Sequence, residues 1–183
     1  MAADSMASPS TPARTGVWIG IAAITMSFTA YTSALVVRQG SGSDWHPITL
    51  PKILLLNTVL LLVSSATQER GRRLTALGRP ATPWVAASLL LGLGFLAGQL
   101  AAWRALAAAG LYLSSNPASD FFYVFTALHA LHLLGGLAAL AYLLRRLRTA
   151  PATARGTADA VTLYWHFMGV LWLYLLVVLL TRL

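Results

Sequence analysis

The sequence predicts an all-α membrane protein: a five-transmembrane-helix bundle with its N-terminus cytoplasmic and its C-terminus outside, on the periplasmic face. Three observations carry that expectation. Of 183 residues, 57% are hydrophobic and only 10% are charged, whereas a soluble domain carries about 25% charged residues. Five stretches are apolar enough to cross a hydrocarbon core of about 30 Å, which takes about 20 helical residues. The basic residues also divide unevenly between the connecting loops, nine against three, as they do when Lys and Arg collect on the cytoplasmic side.

Residues 1–16, rich in Ala, Ser, Pro and Thr, read as a disordered cytoplasmic tail. They lack the charged start and adjoining cleavage site of a signal peptide. Residues 17–183 then form one membrane domain, with helices expected at about 17–38, 50–68, 83–113, 117–147 and 158–183. The first is apolar throughout and contains no Asp or Glu. The second is the shortest and begins at Pro51. The third is long enough to tilt or project, and its Gly92, Gly94 and Gly98 offer a small-residue face for close helix packing. Asn116-Pro117 starts the fourth as an N-cap followed by Pro at the first helical position, with Asp120 in the first turn where a carboxylate suits the helix dipole. Gly156 and Thr157 break the chain before the fifth. Such continuous apolar runs argue for helices rather than a barrel, whose strands alternate over about 10 residues.

The net charge of +8 is accounted for by topology. Arg14, Arg70, Arg72, Arg73, Arg79, Arg145, Arg146, Arg148 and Arg155 fall on one side, and Arg38, Lys52 and Arg182 on the other. No nucleic-acid partner is expected. The absence of cysteine excludes disulfides, thiolate metal sites, iron–sulfur clusters and haem attached through Cys. There is no phosphate-binding loop, no HExxH and no nucleophile–base pair. Trp18, Trp84 and Trp165 fall near the cytoplasmic interface, where tryptophans form a belt.

Polar groups inside a membrane are costly and call for partners. At about 1.5 Å of rise per residue, Ser64, Ser65, Gln99, His129, His132 and His166 share one layer, with Asn57 nearer the outer surface. Their side chains are expected to turn inward and bond across helices. His129 and His132 share a helix face, but a metal would need a third ligand, and His166 is the only other His in a span. Arg104 is the one full charge within a span. It is read as snorkelling to the outer headgroups, pairing with Asp120, or seating a lipid phosphate.

Three helices carry a family resemblance. The run Phe121-Phe122-Tyr123, Thr126, His129, His132, Gly135-Gly136 resembles the FFxxTGxHGLHxxxG helix of subunit III of the haem–copper cytochrome c oxidases. Tyr164-Trp165-His166-Phe167 followed by Val170 and Trp172 is similar to that family's C-terminal YWHFVDVVWL helix, and Asn57-Thr58 through Ser64-Ser65 to its LNTxxLLxSS helix. Ala127 and Ala130 stand where that motif usually has Gly, Gly169 replaces an acidic residue, and the first helix lacks the family's frequent membrane Glu. The five spans are expected to match the family's five-helix core, without the two leading helices of its seven-helix form.

The resemblance implies a non-catalytic accessory subunit of a proton-pumping terminal oxidase in the bacterial inner membrane. It would hold no cofactor of its own, the haem and copper residing in partner subunits. It would pack on subunit I beside subunit II and the other subunits, bind phospholipid, and support proton uptake and turnover stability. Tyr164, Trp165, His129, His132 and His166 would then build the polar heart of the bundle with Asn57 and Gln99, and Arg104 would lie near a lipid headgroup. Within the family, subunit III of a quinol oxidase and the accessory subunit of nitric oxide reductase stay open. Outside it, so does a small b-type cytochrome using His129, His132 or His166.

Overall fold

The structure is a computed structural model that describes residues 11–41, 44–113 and 116–183. Among them the chain forms α1 (Thr11–Ser41), α2 (Ile53–Ala76), α3 (Thr82–Ala108), α4 (Pro117–Thr149) and α5 (Arg155–Arg182), with one 3-10 turn at Pro151–Thr153 and no strand. Four helices, α1, α3, α4 and α5, are long and apolar enough to cross a membrane. In α2 the apolar run gives way early to Gln68, Glu69, Arg70, Arg72 and Arg73.

Helix ends differ from expectation where local chemistry outweighs hydropathy. α1 begins at Thr11, inside the segment 1–16 expected as a tail. Pro12 is compatible with a first helical turn, which needs no N–H there; residues 1–10 lie outside the described residues. α2 continues to Ala76 rather than ending near 68, because Glu69 pairs with Arg72 at 2.8 Å and Arg73 at 2.7 Å along the same helix, spacings that support a solvated helix. It stops at Gly78, whose φ of 65° is left-handed. α3 ends at Ala108, short of 113, with Gly110 at φ 80° two residues on. At the start of α4, Asn116 Oδ1 accepts from Ala118 N at 3.1 Å and Pro117 and Asp120 occupy the first turn, as expected.

α2 and α3 form an antiparallel hairpin, and α5 packs against α1, α2 and α4 at the centre. In their apolar windows 50% of α5 but only 17% of α1 is buried, which makes α1 the peripheral helix. It joins the core through Ile24, Phe28 and Leu35.

Trp165 on α5 is 1% exposed, which overturns its placement in an interfacial belt. The side chain enters the bundle because the facing residues are glycines. A Cβ on Gly92 would lie 2.8 Å from Trp165 Cη2, and one on Gly136 would lie 3.0 Å from Cζ3. The indole Nε1 donates to Ser64 Oγ at 3.1 Å. One side chain of α5 thus touches α2, α3 and α4. At the opposite end from the arginine-rich loops, Ile48 N donates to the Leu183 carbonyl at 2.7 Å and Asn116 Nδ2 to the His46 carbonyl at 2.6 Å. These bonds tie the first loop to the ends of α4 and α5.

Gly92→Ala should destabilise the bundle by about 1–3 kcal/mol through overpacking against a rigid indole. Gly20→Ala, inside α1 with nothing within 4 Å of its added methyl, should not destabilise, since Ala favours a helix interior over Gly. Thermal unfolding of the two detergent-solubilised variants measures the difference.

Candidate functional site

The polar residues singled out from sequence divide into a bonded network, an unbonded cluster and a charged end. The network surrounds Trp165. Ser64 Oγ accepts from the indole and donates to the Ser88 carbonyl at 2.9 Å, and Thr67 Oγ1 lies 2.8 Å from Ser88 Oγ. Gln68 Nε2 donates to Thr162 Oγ1 at 3.0 Å. From α5, Tyr164 OH donates to the His132 carbonyl of α4 at 3.0 Å, and His132 Nδ1–H donates to the Leu128 carbonyl at 2.7 Å. The donor role of that nitrogen follows from its acceptor being a carbonyl. Hydroxyls and indoles here are satisfied across helices, as polar residues between membrane helices are.

Asn57, Gln99 and His129 behave differently. All three are buried, and none of their polar atoms has a hydrogen-bond partner among the described residues. His129 instead packs its ring against Phe95 and Trp172, with centroids 5.7 Å and 5.2 Å away. The single bonded layer expected from helix rise is therefore corrected, and so is the placing of Asn57 nearer the outer surface: its amide lies against Gly98, beside Gln99. Rise along one helix fixes neither azimuth nor the offset between helices, and the register of α3 against α5 places Gly92, not Gln99, opposite Trp165.

The charged end lies beyond the apolar part of α2. Glu69 bonds Arg72 and Arg73, and Arg72 reaches Asp159 on α5 at 3.3 Å. His166 bonds Ser65 through Nδ1, and its Nε2 stands 3.6 Å from Glu69 Oε2. Glu69, Arg72, Asp159 and His166, with Arg14 and Thr162, line an open cavity of about 320 Å³. The hydrogen bond from Arg72, followed by that from Arg73, holds the Glu69 carboxyl down at about 2, against the partial desolvation that opposes it. The same carboxylates raise Arg72 above the ordinary guanidinium range. Sequence reading took these arginines only as a topology signal. The i, i+3 and i, i+4 spacing of Glu69 with Arg72 and Arg73 was the available clue; the approach of Asp159 is tertiary.

The three histidines within the expected spans do not converge. His129 faces Phe95 and Trp172, His132 lies 5.9 Å from the Phe28 ring, and His166 turns to Ser65 and Glu69. Among the described residues no group of three or more His, Asp or Glu side chains is arranged to hold a metal ion. Arg104 is exposed on α3, and the described ion pairs do not join it to Asp120. Because α3 ends at Ala108, Arg104 sits about 6 Å below the helix end at 1.5 Å per residue. An extended guanidinium covers that distance.

Near the other face, Trp84 accepts the Arg70 guanidinium over its ring at 4.5 Å, and Trp18 is 53% exposed. Trp84 is thus half-buried under a guanidinium, and Trp18 is exposed.

The model of the family "Cytochrome c oxidase subunit III" matches residues 17–181. Among curated relatives, the chain is 32% identical over 145 residues to the probable cytochrome c oxidase subunit 3 of Nocardia farcinica, covering 75% of this chain and 71% of that one. It is 32% identical over 158 residues to cytochrome c oxidase subunit 3 of Corynebacterium diphtheriae, covering 82% and 76%. A third relative, cytochrome bo(3) ubiquinol oxidase subunit 3 of Pseudomonas putida, is 25% identical over 170 residues, covering 86% and 80%.

The charged end generates a pH prediction. Glu69 takes up its proton near 4.5 when unfolded but only near 2 when folded, so its stabilisation is complete above about 4.5 and is lost as the pH falls toward 2. The melting temperature of the detergent-solubilised chain should drop across that window. In Glu69→Gln that component of the drop should be absent.

Proposed function

The chain belongs to the cytochrome c oxidase subunit III family, and from that premise we propose that it packs on the catalytic subunit I, holds phospholipid, and sustains proton uptake and turnover stability. It is an accessory subunit of a terminal oxidase and a multi-pass protein of the bacterial inner membrane. Other subunits of the oxidase are its partners. The observation that carries the proposal is the family match over residues 17–181, which takes in all five helices apart from the first turns of α1 and the last residue of α5.

The role is one of scaffolding. Haem and copper chemistry belongs to the partner subunits, and His129, His132 and His166 are taken up by aromatic rings, a backbone carbonyl or a serine. In this reading residues 17–183 form the membrane domain, α2 is a fifth span, the arginine loops and the N-terminus face the cytoplasm, and the C-terminus lies outside. The exposed Arg104 seats a lipid phosphate at the outer headgroup level. Asn57, Gln99, His129, His132, Tyr164, Trp165 and His166 hold the helices at the spacing that the partner subunit meets.

Purification from the native membrane in mild detergent, with identification of the copurifying proteins, tests the role. A partner carrying haem and copper ligands is expected; its consistent absence would defeat the proposal. His129→Ala and His166→Ala should leave the haem content per complex unchanged while weakening retention of this chain, as read from absorbance and subunit stoichiometry. Loss of haem in proportion to the mutated chain would refute the scaffold role. Arg104→Leu should remove one tightly held phospholipid in native mass spectrometry. For orientation, a membrane-impermeant thiol reagent added from outside should modify Asp44→Cys and spare Arg79→Cys.

A further inference from the structure

We propose that the interior of the bundle contains a bound-water site built by Asn57, Gln99 and His129. Its basis is a local deficit of hydrogen bonds. The three side chains stand on α2, α3 and α4 and are 0%, 2% and 0% exposed. Both polar atoms of each are buried and without a partner among the described residues. Elsewhere in the core Ser64, Thr126, Trp103, Trp165 and Trp172 are all hydrogen-bonded. Buried polar atoms are nearly always paired, with protein or with ordered water. Gln68 Oε1 and Trp45 Nε1 also lack a partner, but Asn57, Gln99 and His129 bring six such atoms together, and that concentration marks a place where something is bound.

The three groups come together around two rings. Trp172 and Phe95 meet edge to face at 4.8 Å, and His129 contacts both. Trp172 Nε1 donates to Thr58 Oγ1 at 3.0 Å, which brings the neighbouring Asn57 to the same level of α2. Asn57 Oδ1 occupies the space of a missing side chain on α3: a Cβ on Gly98 would lie 2.0 Å from it. Gln99 follows Gly98 and stands one turn above Phe95 on the buried face of α3. The glycine admits the amide of one helix beside the amide of the next.

Donor chemistry selects the ligand. Two carboxamides offer N–H donors and carbonyl acceptors, and a neutral imidazole offers one of each. A cation would meet no carboxylate among the buried residues. A neutral molecule that both donates and accepts can satisfy all three groups, and buried water does so through two to four hydrogen bonds. At this depth the hydrocarbon supplies no solvent, so the water belongs to the protein. The site is independent of the subunit's place in the oxidase.

The test uses the intact complex purified from native membranes. A structure at a resolution that shows waters should place ordered density within hydrogen-bonding distance of at least two of the three side chains. Direct bonding among the three, or a dry layer, would overturn the site. Radiolytic footprinting gives a second readout, since hydroxyl radicals formed at bound water oxidise the nearest rings. Trp172 should be oxidised despite its burial, and in heavy-oxygen water the product should retain label after brief dilution into ordinary water. Gln99→Leu should lower Trp172 oxidation several-fold. If that variant does not assemble, background oxidation of Trp172 in the unmodified complex would by itself reject the site.

Discussion

The bundle depends on the insertion of Trp165 between Gly92 and Gly136. Membrane helices gain little from apolar association, because lipid tails are as apolar as leucine, and they hold together by close packing and by hydrogen bonds between helices. Trp165 supplies both: its ring fills the two glycine faces and its Nε1–H bonds Ser64. Four of the five helices meet at this side chain. A methyl group on either glycine would occupy space that the indole already fills.

Around that contact, polarity is graded along the bundle. At the end bearing the arginine loops, charges are exposed or half-buried and pair along α2 and across to α5. Deeper in, hydroxyls, indoles and backbone carbonyls satisfy one another, which suits an interior that cannot hold unpaired charge. Asn57, Gln99 and His129 lie in the same core but outside that network. This gradient explains why α2 reads as the least membrane-like helix: it contributes Asn57, Ser64, Ser65 and Gln68 to the interior and Glu69 to the charged end. Neighbouring helices, rather than lipid, surround those positions.

Such a molecule suits the role of an accessory subunit. Its helix histidines are spent on packing and on hydrogen bonds, and its exposed helix faces are largely apolar, with the α1 hydroxyls Thr25, Ser27 and Thr29 bonded back to their own helix. α1, the least buried helix, presents Trp18, Ile19, Met26 and Val37 outward. Those faces are available to lipid or to other subunits of the oxidase.

The helices, most of their starts, the N-cap at Asn116 and the division of arginines between the two ends were legible in the sequence. Hydropathy, capping chemistry and charge are local properties that survive without knowledge of neighbours. The three motif helices were also legible, and they identified the family before any contact was known. The tertiary structure decided which polar groups bond and which do not. It moved Trp165 from an interfacial belt to the core, separated Asn57, Gln99 and His129 from the bonded network, and drew Asp159 to Arg72. The physical reason is geometric. Helix rise gives depth from residue number alone, but the partner of a side chain depends on the azimuth and register of the facing helix. Here glycines set both, because only they let a large ring or an amide approach a neighbouring backbone.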